Sequence, residues 1–168
     1  FKADHDSKAY RNRSLNGPRQ PAVYVSYDDA VAFCEWANRS LRLPSGYKLR
    51  LPNGNEWTTF AQCGDAREYP WGNDLPAKYG NYSDAYAEQS FHWGLTDGYS
   101  DGHDVTSTVE QSGKNEWGLY GIAGNVFEWT SELSGPSRVV RGASWDSAVL
   151  DHRRISSRYA DPPARRSH

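Results

Sequence analysis

At 168 residues and 18.9 kDa the chain has the size of one domain and enough length to bury a core. The formal charge is only −2 and no run of about 18 apolar residues occurs, so no membrane-spanning helix is expected and no charged-then-apolar leader is visible. Two cysteines without CxxC spacing exclude a disulfide framework and a zinc ribbon, while 14% aromatics at a mean hydropathy of −0.86 suit a loop-rich α+β domain better than a helical bundle. Opening at Phe1 rather than Met is what a processed product or a fragment would show.

Residues 1–20 are polar and basic, an extended lead-in closed by a turn at Asn16-Gly17-Pro18. A short strand is expected at Pro21–Val25. Ser26 with Asp29 then forms a capping pattern that opens a helix to about Asn38, with Ala30, Val31, Phe33, Cys34, Trp36 and Ala37 inward. A second strand at Lys48–Leu51 precedes Asn53 and Glu56, which repeat the capping pattern and open a helix to about Cys63, with Trp57, Phe60 and Ala61 inward. Cys34 and Cys63 are expected as buried thiols within these helices, a single disulfide between them being the alternative. Trp71, in YPWGN, is expected against a helix. Residues 80–108 are the least regular part, rich in Asp, Asn, Ser and Gly, and a loop of that length inside a domain calls for function or a metal.

The stretch 115–132, NEWGLYGIAGNVFEWTSE, sits at the centre of the pattern. Gly118, Gly121 and Gly124 punctuate Trp117, Leu119, Tyr120, Ile122, Val126, Phe127 and Trp129, predicting a tightly wrapped loop pinned by aromatic rings that ends in a strand at Asn125–Thr130. A strand follows at Arg138–Trp145, and residues 146–168 carry no regular pattern. Charge divides along the chain: residues 65–132 are strongly acidic, and from Arg138 onward arginine dominates. The acidic stretch suits hard cations and the arginines suit anions, or the two pair with each other inside the fold.

Five collinear segments, PAVYVSYDDAVAFCEWAN, LRLPNGNEWTTFAQCG, YPWGN, GLYGIAGNVFEW and RVVRGASW, resemble the formylglycine-generating enzyme and sulfatase-modifying-factor family. The resemblance implies a C-type-lectin-like α+β fold with two helices, short strands and many long loops in a single domain over 1–168. Family domains also carry opening strands and a closing GFR strand that are not evident in this sequence. Two calcium sites are implied. One matches Asn81, Tyr82, Asp101 and His103. The other matches Gly121, Gly124, Val126 and Glu128, with Gly121 in place of an oxygen-bearing side chain, which leaves that site weak or vacant.

The family's oxidases use two cysteines after the RGGSW-like motif to bind copper(I). Here Ser147 fills the first position, the second falls between Leu150 and His152, and no cysteine lies beyond 63, so that chemistry and copper are not expected. An enzyme using another site, with His152, His168, Asp146 and Asp151 around iron or with a partner domain, is the alternative. Retroelement-diversified variable proteins of similar fold display a binding face after the same motif. Residues 146–168 lack Lys, Glu, Gln, Met and Trp, the types that adenine-directed change of Asn codons does not reach, although arginine- and serine-rich tails are also common in the family. The resemblance thus implies a non-catalytic ligand-binding or display module, calcium-stabilised. Its ligand would be a protein or small molecule, not nucleic acid, held by Trp145, Asp146, Ser147, Leu150, Asp151, His152, Arg154, Tyr159, Arg165 and His168.

Overall fold

The computed structural model describes residues 9–15, 17–92 and 98–166. The lead-in holds a small hairpin, β1 (Ala9–Tyr10) with β2 (Arg13–Ser14), turned by Arg11 and Asn12 at positive φ. Both predicted capping boxes form. Ser26 Oγ accepts from Asp29 N while Asp29 Oδ2 accepts from Ser26 N at 2.8 Å, and α1 runs over Tyr27–Ser40. Asn53 and Glu56 exchange the same pair of bonds at 2.9 Å and open α2, Gly54–Gln62. Cys63 lies just past α2 in left-handed backbone rather than inside it, and both cysteines are free and half-buried. On α1 only Ala37 is buried. Phe33 and Trp36 remain 49% and 37% exposed, which corrects the six-residue inward face read from the periodicity.

A third helix corrects the two-helix expectation. α3 spans Ala85–Phe91, with Asp84 Oδ1 accepting from Tyr86 N at 2.8 Å and Ala87 N at 2.9 Å. It buries Ala87 and Phe91. Two inward residues in under two turns make too short a period to stand out in a polar sequence.

The main sheet is antiparallel in the order β3 (Glu128–Ser134), β4 (Ser137–Arg141), β5 (Tyr159–Asp161). Glu128 faces Arg141 and Val140 faces Tyr159, with a register shift between Trp129 and Leu133. β3 starts later than the predicted Asn125 because Asn125 sits at φ 71° and Val126 N turns back to Gly124 O at 3.0 Å. β4 stops at Arg141, where Gly142 takes φ 76°. The two other predicted strands form no ladder. Leu49 gives both backbone groups to the side chain of Asn38 at 2.8 Å each, and Tyr24, at φ 57°, breaks the extended run of 21–25. Residues 146–166, expected to be patternless, contain a 3-10 turn at Leu150–Arg153 and β5.

Three apolar clusters fill the interior. Trp71 stacks on Tyr69 at 4.9 Å and meets Tyr82 edge-on at 5.5 Å, beside Ala123 and Ala143, not against a helix as expected. Trp145 joins Leu15, Val23, Phe91 and Val105; Trp57 joins Ala61, Ile122 and Ile155. Within the 115–124 loop, Trp117, Leu119 and Tyr120 face solvent, so aromatic rings do not pin it. Asn115 does: Nδ2 donates to Phe60 O at 2.8 Å, and Oδ1 accepts from Trp117 N and Leu119 N. The charge division resolves in part as pairing within the fold, Arg154 with Glu68 and Arg158 with Glu132.

Gly124 has φ 84°, and a Cβ there would sit 2.2 Å from Asn81 O, whereas Gly46, at φ 82°, has open space around it. G124A should therefore cost at least about 3 kcal/mol in urea unfolding, through backbone overlap that no rotamer relieves. G46A should cost only left-handed strain, about 1 kcal/mol.

Candidate functional site

The segment after β4 is fastened from below. Trp145 N donates to Asn125 O at 3.0 Å, and its ring, wholly buried, meets Tyr10 edge-on at 5.0 Å. Ser147 N to Ser144 O at 2.9 Å and Ser144 N to Ser147 Oγ at 3.0 Å close a tight turn. Arg153, 2% exposed, donates to Ser147 O at 3.0 Å and Ser83 O at 3.1 Å with its guanidinium 4.4 Å over the Tyr82 ring. Ile155 N donates to Glu68 O at 2.9 Å and its side chain is buried against Trp57.

Between these anchors the chain turns outward. Asp146, Val149, Asp151 and His152 are exposed, as is Arg165 further on. A depression of about 400 Å³ is lined by Asp146, Ser147, His152, Tyr159, Asp161 and Arg165, with Phe127 and Val140 at its apolar side. His152 meets Tyr159 edge-on at 5.4 Å, Tyr159 meets Phe127 at 5.2 Å, and Arg165 reaches Asp161 at 3.1 Å. Burial, with Asp151 nearby, raises the Tyr159 phenol.

Five expected residues thus converge: Asp146, Ser147, His152, Tyr159 and Arg165. Trp145 supports them from beneath. Leu150 packs on the Tyr69 and Trp71 cluster, Arg154 turns to Glu68 and Asp151 and lies 5.2 Å over the Tyr69 ring, and His168 lies outside the described residues. Phe127, Val140 and Asp161 were not anticipated. The i, i+4 spacing of Asp161 and Arg165 was the one legible signal.

The implied calcium sites are not formed. Among the described residues no group of three or more His, Cys, Asp or Glu side chains comes together to hold a metal. The matching groups are spent on the fold instead. Asn81 Nδ2 donates to Val105 O at 2.9 Å and Asn125 Oδ1 at 3.1 Å, Asp101 accepts from Tyr82 N at 3.2 Å and His103 N at 2.7 Å, and Gly124 O accepts from Val126 N. Glu128 accepts from Trp57 Nε1 at 2.5 Å, and Gly121 N donates to Gly113 O. Asn81 Oδ1 alone of the implied side-chain ligands is buried without a hydrogen-bond partner among the described residues. Burial, with Asp84 alongside, pushes the Asp101 carboxyl up to about 7, and burial pushes Glu128 to about 7 against the pull of the Trp57 N–H.

Residues 2–168 match the family described as Sulfatase-modifying factor enzyme 1-like domain. The chain belongs to this family. It is 32% identical over 149 residues to formylglycine-generating enzyme of Bos taurus, covering 78% of this chain and 36% of that protein. Against the inactive C-alpha-formylglycine-generating enzyme 2 of Mus musculus it is 34% identical over 158 residues, covering 85% of this chain and 44% of the relative. The chain therefore spans less than half of either relative. Among solved structures, Treponema denticola variable protein 1 aligns with a TM-score of 0.61 at 21% identity over 90% of this chain and 69% of that one, which shows a shared fold. Against the family's oxidase pattern, the position after Trp145 and Asp146 is Ser147, and the only cysteines, Cys34 and Cys63, are free thiols on other parts of the fold.

Replacing Arg153 by Met removes a buried cation and leaves the Ser147 and Ser83 carbonyls short of donors. Unfolding in urea should show a loss of about 3 kcal/mol.

Proposed function

We propose that this domain is a non-catalytic binding module that displays the outward residues of 146–165 as a recognition face for a protein or small-molecule ligand. One observation carries the reading: buried anchors, Trp145 on one side and Arg153 and Ile155 on the other, flank a run in which Asp146, Val149, Asp151 and His152 face solvent. The anchors hold the backbone course, so the residues between them are free to change without unfolding the domain. Tyr159, His152 and Arg165 around a shallow depression supply aromatic and cationic groups of the kind that carry binding energy at interfaces. The likeness to the fold of a variable protein supports the display reading, and Ser147, where a copper-binding thiolate would be required, supports the absence of oxidase chemistry.

The test is a library in which positions 146, 149, 151, 152 and 165 are randomised, sorted for folding by protease resistance and then for binding to a chosen protein target. Most members should fold, and binders should emerge. A second library at 145, 153 and 155 should yield mostly unfolded chains. If the first library unfolds as readily as the second, the face is structural. If the purified protein with copper(I) and oxygen forms an aldehyde on a cysteine-containing peptide, the non-catalytic reading is overturned.

A further inference from the structure

Successive residues of a strand face opposite sides of a sheet, so while Val140 lines the depression described above, Arg141 points away from it. On that other side lies a larger cleft of about 680 Å³, lined by Arg141 with Asn55, Thr58, Gln62, Asn73 and Ser156, and sharing no residue with the first. Its volume is that of a small-molecule site, and its polar lining is amide, hydroxyl and guanidinium together with the carboxylates of Glu68 and Glu132.

Arg141 is 3% exposed, yet among the described residues it has no ion-paired carboxylate. Nη2 donates to Thr58 Oγ1 at 3.1 Å and to Ile155 O, and the guanidinium lies 4.7 Å over the Trp57 ring. Nε is buried with no hydrogen-bond partner among the described residues. The acids nearby are committed: Glu132, which presses on Gly54, is paired with Arg158, and Glu68 is paired with Arg154. Of the other arginines lining the cleft, Arg67 is paired with Asp65 and Glu116 and Arg158 with Glu132, so among the described residues Arg141 is the lining guanidinium without a carboxylate. Burial and the neighbouring Arg158 already make the Arg141 cation costly to hold, and an oxyanion in the cleft that Arg141 lines would offset that charge.

We propose that this second cleft binds a small polar molecule through an anionic oxygen group, a carboxylate or a phosphate, held by Arg141 with Thr58 beside it. Amides at Asn55, Gln62 and Asn73 serve the neutral polar part of the same molecule. This site is independent of the recognition face, and its failure would leave the display reading untouched.

The test titrates acetate, citrate and inorganic phosphate into the whole chain at constant ionic strength, following thermal unfolding and the Arg side-chain Nε–Hε resonances by NMR. At least one of the three should raise the melting temperature saturably and shift the Arg141 Nε–Hε signal, with chloride at equal ionic strength doing neither. The acetate and citrate arms against the phosphate arm separate the two oxyanion types. N55E places a carboxylate on the cleft wall one helical turn from Thr58, at a helix start where acids are tolerated, and should weaken binding about tenfold while folding normally. R141K, which keeps the charge but not the planar fork, should abolish the response. No saturable response to any probe overturns the proposal, as does a response that N55E retains in full.

Discussion

The side chain of Asn125 holds together three segments that are far apart in sequence. Its Oδ1 accepts from Asn81 Nδ2 at 3.1 Å and Ser107 N at 3.0 Å, and its Nδ2 donates to Ser107 O at 3.3 Å. Its backbone adds Asn125 N to Asn81 O at 2.8 Å and Trp145 N to Asn125 O at 3.0 Å. The residue is 2% exposed and sits at φ 71°, a conformation that asparagine tolerates better than most side chains. Gly124 beside it brings the backbone against Asn81 where no Cβ fits. A domain with so little regular structure cannot rely on ladders to fix its loops, and one amide with three hydrogen bonds ties them here.

Buried arginines extend the same logic outward. Arg153 bridges the segment after β4 to Ser83 while lying over Tyr82, and Arg141 bridges Ile155 to α2 while lying over Trp57. In each case a guanidinium satisfies backbone carbonyls that no strand reaches and buries its face on an aromatic ring. Arg153 reaches carbonyls on both sides, and Arg141 lies beside a polar cleft. The proposed recognition face rests on the first arrangement, because Arg153 and its neighbouring anchors fix the course of the chain while Asp146, Val149, Asp151 and His152 remain outside.

Much of the fold was legible because it is written locally. The capping boxes at Ser26 and Asn53 mark two helix starts to the residue, since a cap is a contact between residues three apart. What the sequence could not disclose was long-range. α3 is too short to carry a period, β5 exists only because β4 lies beside it, and Leu49 looks like a strand residue yet gives its hydrogen bonds to Asn38. Part of the candidate site was legible by the same measure. Asp146, Ser147, His152, Tyr159 and Arg165, all singled out from the sequence, line one depression, but whether Trp145 lies beside it or under it depends on Leu15, Val23 and Phe91, which sequence distance hides. The calcium ligands failed for a related reason. Asn81, Asp101 and Glu128 occupy matching positions, but their partners are Val105, Asn125, His103 and Trp57.

The most direct test of this account is amide hydrogen exchange on wild type and N125G. Glycine keeps the left-handed backbone and removes only the three side-chain hydrogen bonds. If Asn125 is the tie, exchange at Asn81, Ser107 and Trp145 should accelerate together in the variant, by at least about tenfold, while the amides of α1 are unchanged. Acceleration confined to Ser107 would contradict the account and leave each segment held by its own local contacts.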